Sequence, residues 1–369
     1  MPGKRIVLAG GGHAHLHTLA RTEGLVRRGF DVTLVDRSPH LYYSGMATGV
    51  ISGAYDPGDY RVDTRRLVEE GGGTFVEGRI AEIRPIDRAF VLADGRTISY
   101  DAASVCLGSG ISHPGMVEDG ADALPVKPVV NTMEIRERLL ALSEDRTPEI
   151  LVVGGGAAGC EVAANALALL RSRGLEGALT VAQGAYCLLP DAPRRARRVI
   201  LNLLTGGGAR VLTGDPVVRL GGKTASTSGG REVPYDLAVL AVGVSPPDVF
   251  RVSGLPTDES GGLRVDRHLR STADGRLFGG GDCVSFCGRP LPKLGVFAVR
   301  QGPVIFHNLQ AALDGSQLRE YRPQRRYLYV LNLGDGTGLA IYGHLSWRGR
   351  LSWWLKHRID ERFVGEHSR

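Results

Sequence analysis

Ile6-Val7-Leu8-Ala9-Gly10-Gly11-Gly12-His13-Ala14-His15 and Ile150-Leu151-Val152-Val153-Gly154-Gly155-Gly156-Ala157-Ala158-Gly159 carry one plan twice: a short apolar run, a glycine-rich turn, and the start of a helical pattern. The plan provides backbone access. Glycines without a Cβ let the chain turn sharply and approach a pyrophosphate, whose charge then rests on free N–H groups at a helix N-terminus. The apolar runs supply the preceding strands, and the alanine-rich stretch 157–173 supplies the second helix. One such turn is a weak signal. Two in the same order predict two nucleotide sites.

The duplication extends beyond the glycines. Asp94-Gly95-Arg96-Thr97-Ile98-Ser99-Tyr100-Asp101 is echoed by Gly229-Gly230-Arg231-Glu232-Val233-Pro234-Tyr235-Asp236, and each copy runs into an apolar strand ending in glycine, at 104–108 and 237–243. Each half therefore reads as a Gly-turn β-α-β start, a hairpin insertion with a tight turn, and a last strand returning to a parallel sheet. The predicted fold class is α/β, with two Rossmann-like dinucleotide-binding domains carrying β-meander insertions.

Composition bounds the rest. A chain of 369 residues suits two or three domains, and 43% hydrophobic content supports substantial cores. The first strand pattern begins by Arg5, which leaves no room for a leader peptide. Five cysteines without framework spacing point to a reducing compartment, hence a cytoplasmic location. The long apolar stretch 150–170 contains the triple glycine, Glu161 and Asn165, so it reads as a buried phosphate-turn helix and no transmembrane helix is expected.

The net charge is +6, and residues 319–369 hold ten Arg or Lys against five Asp or Glu, so this tail contributes +5 of it. All three tryptophans, Trp347, Trp353 and Trp354, lie there as well. Over 351–364, Leu351, Trp354, Leu355, Ile359 and Phe363 recur at helical spacing, flanked by Lys356, Arg358 and Arg362. Such a helix suits a lipid interface, or equally a docking element on the body or on a dimer partner; the sequence leaves both open. No nucleic-acid motif accompanies the charge, which argues against a nucleic-acid partner.

Three further stretches agree in order and spacing: Cys106-Leu107-Gly108-Ser109-Gly110, Ala241-Val242-Gly243-Val244-Ser245-Pro246 and Leu277-Phe278-Gly279-Gly280-Gly281-Asp282-Cys283. With them the chain resembles, over nearly its whole length, the two-dinucleotide-binding-domain flavoproteins of the pyridine nucleotide oxidoreductase superfamily. The likeness is to the branch of type II NADH dehydrogenases and sulfide:quinone oxidoreductases. Tyr43-Ser44-Gly45-Met46, Pro292-Lys293-Leu294-Gly295-Val296-Phe297-Ala298-Val299-Arg300-Gln301-Gly302-Pro303 and Tyr321-Arg322-Pro323-Gln324-Arg325-Arg326 are similar to the dehydrogenase-like domain fused to selenide, water dikinases. The resemblance implies an FAD-binding domain over 1–115 and 250–312, an NAD(P)H-binding domain over 116–249, and a C-terminal region over 313–369. It also implies peripheral attachment to the cytoplasmic face of the inner membrane through the C-terminal helix.

In the first site Gly10, Gly12, His13 and Ala14 would approach the FAD pyrophosphate, and Asp36, followed by Arg37, would bind the adenosine ribose. The family carries over Gly108, Gly281 and Asp282 for the ribityl chain and a helix from about Phe297, with Val296, directed at the flavin pyrimidine. His15 stands where the fingerprint has its third glycine, so the helix is expected to tilt or shift. The triplet His13, His15, His17 overlays a nucleotide fingerprint without an acidic ligand, and no metal is expected. In the second site Gly154, Gly156, Ala157 and Gly159 fit, with Gly243 at the second strand end. Gln183 stands where an NAD-selective site has Asp or Glu, which predicts weak discrimination between NADH and NADPH; an emptied site is the alternative.

Glu161 falls where type II dehydrogenases keep a glutamate between nicotinamide and flavin, and the resemblance makes it a proton-handling residue; the alternative is an ordinary acid near a helix N-terminus. No cysteine lies between His40 and Tyr55, where disulfide reductases of this fold place their pair, and the Cys283-x3-Cys287 spacing matches no redox motif of the fold. Of the family's quinone-facing Ala-Gln-x-x-x-Gln-Gln-Gly only Gln301-Gly302 remains, with Lys293 as a catalytic cation, Arg300 beside it, and Tyr43, Ser44 and Met46 along the same flavin edge. The expected activity is hydride transfer from NAD(P)H to FAD and electron transfer to a quinone-like acceptor. A sulfide- or selenide-oxidising flavoprotein and a non-catalytic FAD-bound partner module for selenium metabolism are the alternatives.

Overall fold

The computed structural model describes residues 3–111, 115–142, 147–175 and 178–367. Its frame is two five-stranded parallel sheets. The first runs Leu277–Gly279, Ala102–Val105, Lys4–Ala9, Phe30–Asp36, Thr74–Glu77. The second runs Ala123–Pro125, Leu237–Leu240, Glu149–Val153, Ala178–Gln183, Arg210–Thr213, so the four strands after the first match position for position. Both faces are covered, which is why the central strands read as continuous apolar runs rather than alternating ones: Ile6, Val7, Leu8 and Ala9 are buried, as are Ile150, Leu151, Val152 and Val153.

The inserted segments are three-stranded antiparallel meanders, Ile80–Arg84, Ala89–Leu92, Thr97–Ser99 in one half and Val217–Gly221, Thr224–Thr227, Glu232–Pro234 in the other. The Tyr-Asp pair that follows each meander returns the chain to its sheet in the same way. Asp101 accepts a hydrogen bond from the Arg5 N–H at 2.7 Å, and Asp236 accepts one from the Glu149 N–H at 3.0 Å. Beyond the last strands, Gly110–Ile111 pairs antiparallel with Val244–Ser245, tying the two halves together.

Helix α1 (His13–Leu19) follows the first glycine turn and helix α2 (Ala157–Ser172) the second. Gly159 permits close packing in α2, where a Cβ would collide with the Gly154 carbonyl oxygen. His15 occupies the matching place in α1 and is fully buried. Its Nδ1 donates to the Gly10 carbonyl at 2.5 Å, which leaves Nε2 to accept from the Ser104 hydroxyl at 2.8 Å. The imidazole thus stitches turn, helix and neighbouring strand together where a glycine would only allow them to touch.

Helix α3 (Gly295–Asp314) lies against α1, with Gly302 over the Ala14 carbonyl and Phe306 edge-on to His17. The chain ends in an antiparallel sheet, Leu328–Asn332, Gly338–Tyr342, Leu345–Gly349, and helix α4 (Arg350–His367). Trp347 therefore lies on an edge strand rather than on the terminal helix. No helix among the described residues is long and apolar enough to cross a membrane.

Replacing His15 by Ala strands the Gly10 carbonyl and the Ser104 hydroxyl and opens a void, with an expected loss of about 2 kcal/mol in urea unfolding. Burial pushes the His15 imidazole down from 6.5 to about 4, so the unfolded chain takes up the proton first. This group's contribution to stability is present above 6.5 and lost as pH falls towards 4. The acid limb of the stability curve should be shallower in His15→Ala than in the parent protein.

Candidate active site

The two turns are built alike and charged differently. Gly10 and Gly154 adopt positive φ, 88° and 111°, and a Cβ on either would strike the carbonyl oxygen of Cys106 or Ala241. The middle glycine of each turn donates its N–H to the side chain at the end of the next strand: Gly11 to Asp36, and Gly155 to the Gln183 amide oxygen at 3.1 Å. Asp36 also accepts from the N–H of Arg37 at 2.6 Å. Burial pushes the Asp36 carboxyl up, and these N–H donors oppose it. Gly12 and Gly156 cap α1 and α2 without any side-chain cap; in α1 the Ala14 N–H already bonds the Cys106 sulfur, and the N-terminus of α2 is the more open to an anion. A Cβ on Gly156 would enter open space. This donor set fits a dinucleotide in each half, and Ala14 and Ala157 lie in the first helical turns where it would rest.

A second group of residues gathers at the turn Gly281–Cys283. Asp282 Oδ2 accepts from Lys127 Nζ at 2.5 Å and from the Ser109 hydroxyl at 3.0 Å. Burial raises the Asp282 carboxyl, but Lys127, Ser109 and Lys293 more than offset it and hold it below the usual carboxylate value. Gly281, with φ of 76°, donates its N–H to the Gln301 side chain at 2.7 Å. Gln301 thereby braces the turn through its amide oxygen. Lys293 Nζ donates to the Val284 carbonyl at 2.7 Å and lines a small cavity with Asp282, Leu294, Phe297 and Gln301. Helix α3 starts at Gly295, slightly earlier than expected, so Val296 and Phe297 are in its first turn and Phe297 meets Tyr327 edge-on at 5.1 Å. Arg300 is exposed and does not join this lining. Gly108, with φ of 69°, and Gly243 sit beyond the last strands of their sheets.

The third group surrounds Glu161, in the first turns of α2. Its Oε1 accepts the Asn332 N–H at 2.7 Å, so the C-terminal sheet holds the carboxyl in place. Burial pushes it up to about 7, with Lys356 and the Asn332 N–H acting against the rise. Lys356 was expected among the exposed cations of the tail. It is buried instead, donating to the Gly45 carbonyl and to Asp360, whose other oxygen accepts from the Tyr43 hydroxyl at 3.1 Å. Burial and Asp360 hold the Tyr43 phenol far above its ordinary value, so it remains a donor. Ser44 begins the short helix after Tyr43, while Met46 is buried in the core rather than along a flavin edge.

His13 stands between these two groups. Its ring lies 5.4 Å from Tyr43 and 6.1 Å from Phe363 of α4, and Asp282 and Lys127 are its nearest charges. Burial pushes it down to about 4, so it is neutral at pH 7, and its Nε2 is buried without a partner among the described residues. The three histidines do not converge, since His15 is bonded within the turn and His17 lies beside Arg21 and Phe306. Cys283 is buried with its sulfur bonded to the Gly280 carbonyl and the Leu107 N–H, whereas Cys287 is exposed. Lys127, Asn332 and Asp360 were not singled out in the sequence, and Ser109 appeared only inside a strand-end motif. Only Asp360 left a trace, one helical turn from Lys356.

Helix α4 presents part of its apolar side outward, while Phe363 packs on Tyr43 with ring centroids 4.7 Å apart. Ser352, Lys356, Asp360 and Val364 are buried, while Leu351, Trp354 and Ile359 are 71%, 52% and 48% exposed. Leu345 and Trp347 of the preceding strand extend the same exposed set, and the Arg358 guanidinium lies over the Trp354 ring.

Several known proteins share this architecture. The alternative NAD(P)H-ubiquinone oxidoreductase C1, chloroplastic/mitochondrial, of Arabidopsis thaliana is 26% identical over 386 residues, covering 92% of this chain and 72% of that protein. The type II NADH:quinone oxidoreductase of Haemophilus influenzae is 24% identical, covering 86% of this chain and 83% of its own. The crystal structure of the sulfide:quinone oxidoreductase from Aquifex aeolicus superposes with a TM-score of 0.86 at 15% identity, over 99% of this chain and 92% of that one, a likeness of fold. Residues 4–302 match the family described as pyridine nucleotide-disulphide oxidoreductase, and the chain belongs to it.

Proposed function

We propose that this enzyme takes hydride from NAD(P)H into a bound FAD and delivers electrons to a quinone-like acceptor at an apolar surface. In this reading 1–115 and 250–312 form the FAD domain, 116–249 the NAD(P)H domain, and 313–369 the surface region. The carrying observation is Glu161: a half-buried carboxyl on the helix of the second turn, pushed up to about 7, gathered with Lys356, Asp360 and Tyr43. Flavin, when bound, supplies the step between two-electron donor and acceptor. The chain's residues do the rest. Gly10, Gly12 and Asp36 hold the first dinucleotide, and Gly154, Gly156, Gly159 and Gln183 the second. Lys293 adds positive charge beside Asp282, and Glu161 gives or takes a proton as the acceptor is reduced. The relatives named for NAD(P)H and quinone support the donor and acceptor classes. The further kinship we propose, to the domains fused to selenide, water dikinases, rests on the residues of 43–46, 292–303 and 321–326.

The outward apolar side of α4, rimmed by exposed Arg350 and Arg358, supports peripheral binding to an anionic membrane, where a quinone would be dissolved. A second copy of the chain is the competing occupant.

Mixing the flavin-loaded protein anaerobically with NADH or NADPH should bleach the band at about 450 nm. Gln183→Glu keeps the oxygen that accepts from Gly155 but adds a charge, so NADPH should weaken relative to NADH by roughly tenfold. No bleaching by either donor overturns the nicotinamide assignment.

Reoxidation by a soluble quinone should slow as pH rises through about 7, where Glu161 loses its proton. Glu161→Gln should remove that inflection and cost roughly 10²-fold or more in the reoxidation rate. An unaltered profile places the proton donor elsewhere.

Deleting the chain from Trp347 would also remove an edge strand and the Lys356–Asp360 pair, so point changes are the cleaner probe. The parent protein should sediment with anionic vesicles, and the double change Leu351→Glu, Trp354→Glu should release it with FAD retained. Salt should weaken binding only in part, because apolar burial is not screened. If the parent never sediments, the face is a protein contact and a soluble acceptor replaces the quinone.

A further inference from the structure

Lys127 lies just beyond Ala123–Pro125, the strand that pairs parallel with Leu237–Leu240 at the edge of the second sheet. Its backbone is fixed from both sides. The Val126 N–H donates to the Leu240 carbonyl at 2.9 Å, and the Asn131 side chain donates to the Pro125 carbonyl at 2.9 Å. The residue is therefore anchored in the nicotinamide half. Its ammonium nevertheless reaches Asp282 Oδ2 at 2.5 Å and the Ser109 hydroxyl at 3.0 Å, both of the flavin half. The Lys127 and Asp282 side chains are only 21% and 19% exposed, so solvent screens the pair weakly. All bonds to the Asp282 carboxylate go to Oδ2, and Oδ1 has no partner among the described residues.

We infer that Lys127 is a cross-domain positioning residue for the flavin. It pins Asp282 through Oδ2 so that Oδ1 faces the ribityl hydroxyls, and it ties the nicotinamide half to the flavin that half must reduce. The inference rests on the proposed flavin site in the first half. It gives the second half a stake in flavin retention, because the ion pair closes only when both sheets hold their ends of it. It also sets two cations, Lys127 and Lys293, around one carboxylate. The local excess of positive charge favours the reduced, more negative flavin.

The test uses the flavin-loaded protein and the variants Lys127→Met, Lys127→Gln and Lys127→Arg. FAD release is followed by its fluorescence, and the flavin midpoint potential by equilibration with a reference dye. Lys127→Met should loosen FAD by roughly tenfold or more, since Asp282 is left partly buried without its counter-charge, and should lower the potential. Lys127→Gln keeps a hydrogen-bond donor without the charge, so it should retain more FAD than Lys127→Met while showing the same lowered potential. Lys127→Arg should recover most of both properties. If Lys127→Met does not fold, the potential of Lys127→Gln decides. Wild-type retention and potential in every folded variant overturn the inference. Parent protein that purifies with no flavin, or an Asp282→Asn variant that binds FAD normally, overturns instead the flavin site on which the inference rests.

Discussion

The structure depends on one close approach, made twice. At each glycine turn the backbone presses against the carbonyl just beyond the neighbouring parallel strand, leaving no room for a Cβ at Gly10 or Gly154. The ladder runs straight into that contact: Gly10 N–H to the Val35 carbonyl and Cys106 N–H to the Ala9 carbonyl, then Gly154 to Ala182 and Ala241 to Val153, at 2.7 to 2.8 Å. Three strand ends are thereby brought to one point. From it follow the position of the helix N-terminus over the carboxyl edge, the reach of Asp36 and Gln183 back to the turn, and the place of Gly108 and Gly243 opposite. A larger residue at 10 or 154 would part the helix from the sheet and take the nucleotide site with it.

Under the proposed function, the copies have diverged in ways that suit a retained cofactor in the first and a visiting one in the second. Asp36 brings a carboxylate to the first turn, where Gln183 brings a neutral amide to the second. In the first half His15 adds two hydrogen bonds, and α3, twenty residues long, lies across α1. In the second half Gly159 leaves nothing to bond, and the space beside Gly156 is open. The first turn is braced from helix, strand and a returning segment. The second is braced mainly by its own sheet.

The turns, the echoed Tyr-Asp pairs and the α/β class were legible because each depends on residues close in sequence, or on a backbone constraint only glycine meets. The long-range partners were not. Lys356 and Gly45 stand 311 residues apart, and Lys127 and Asp282 155 apart, with no local pattern to announce either. In helix α4 only Lys356 departs from the sequence reading. The spacing left open whether the apolar residues face in or out, and in the structure Ser352, Lys356, Asp360 and Val364 are buried while Leu351, Trp354 and Ile359 lie outside. Amphipathicity gave the two faces; only the partners of Lys356 and Asp360 show which faces in.

Helix α4 joins two tasks that could have been separate. Its inner stripe completes the group around Glu161, and its outer face offers tryptophan and leucine to whatever surface the enzyme meets. Lys356 holds Gly45, and Asp360 holds Tyr43, so α4 cannot lift from the body without dismantling the group around Glu161. His13 lies between that group and the cationic one at Asp282, and it is too deeply buried to take on charge at neutral pH. Under the proposed function the positive group stabilises electrons on the flavin while the carboxyl group manages the proton for the acceptor. Lys127 is bonded to Asp282 and Lys293 to the Val284 carbonyl, while the cation that acts on the Glu161 carboxyl is Lys356.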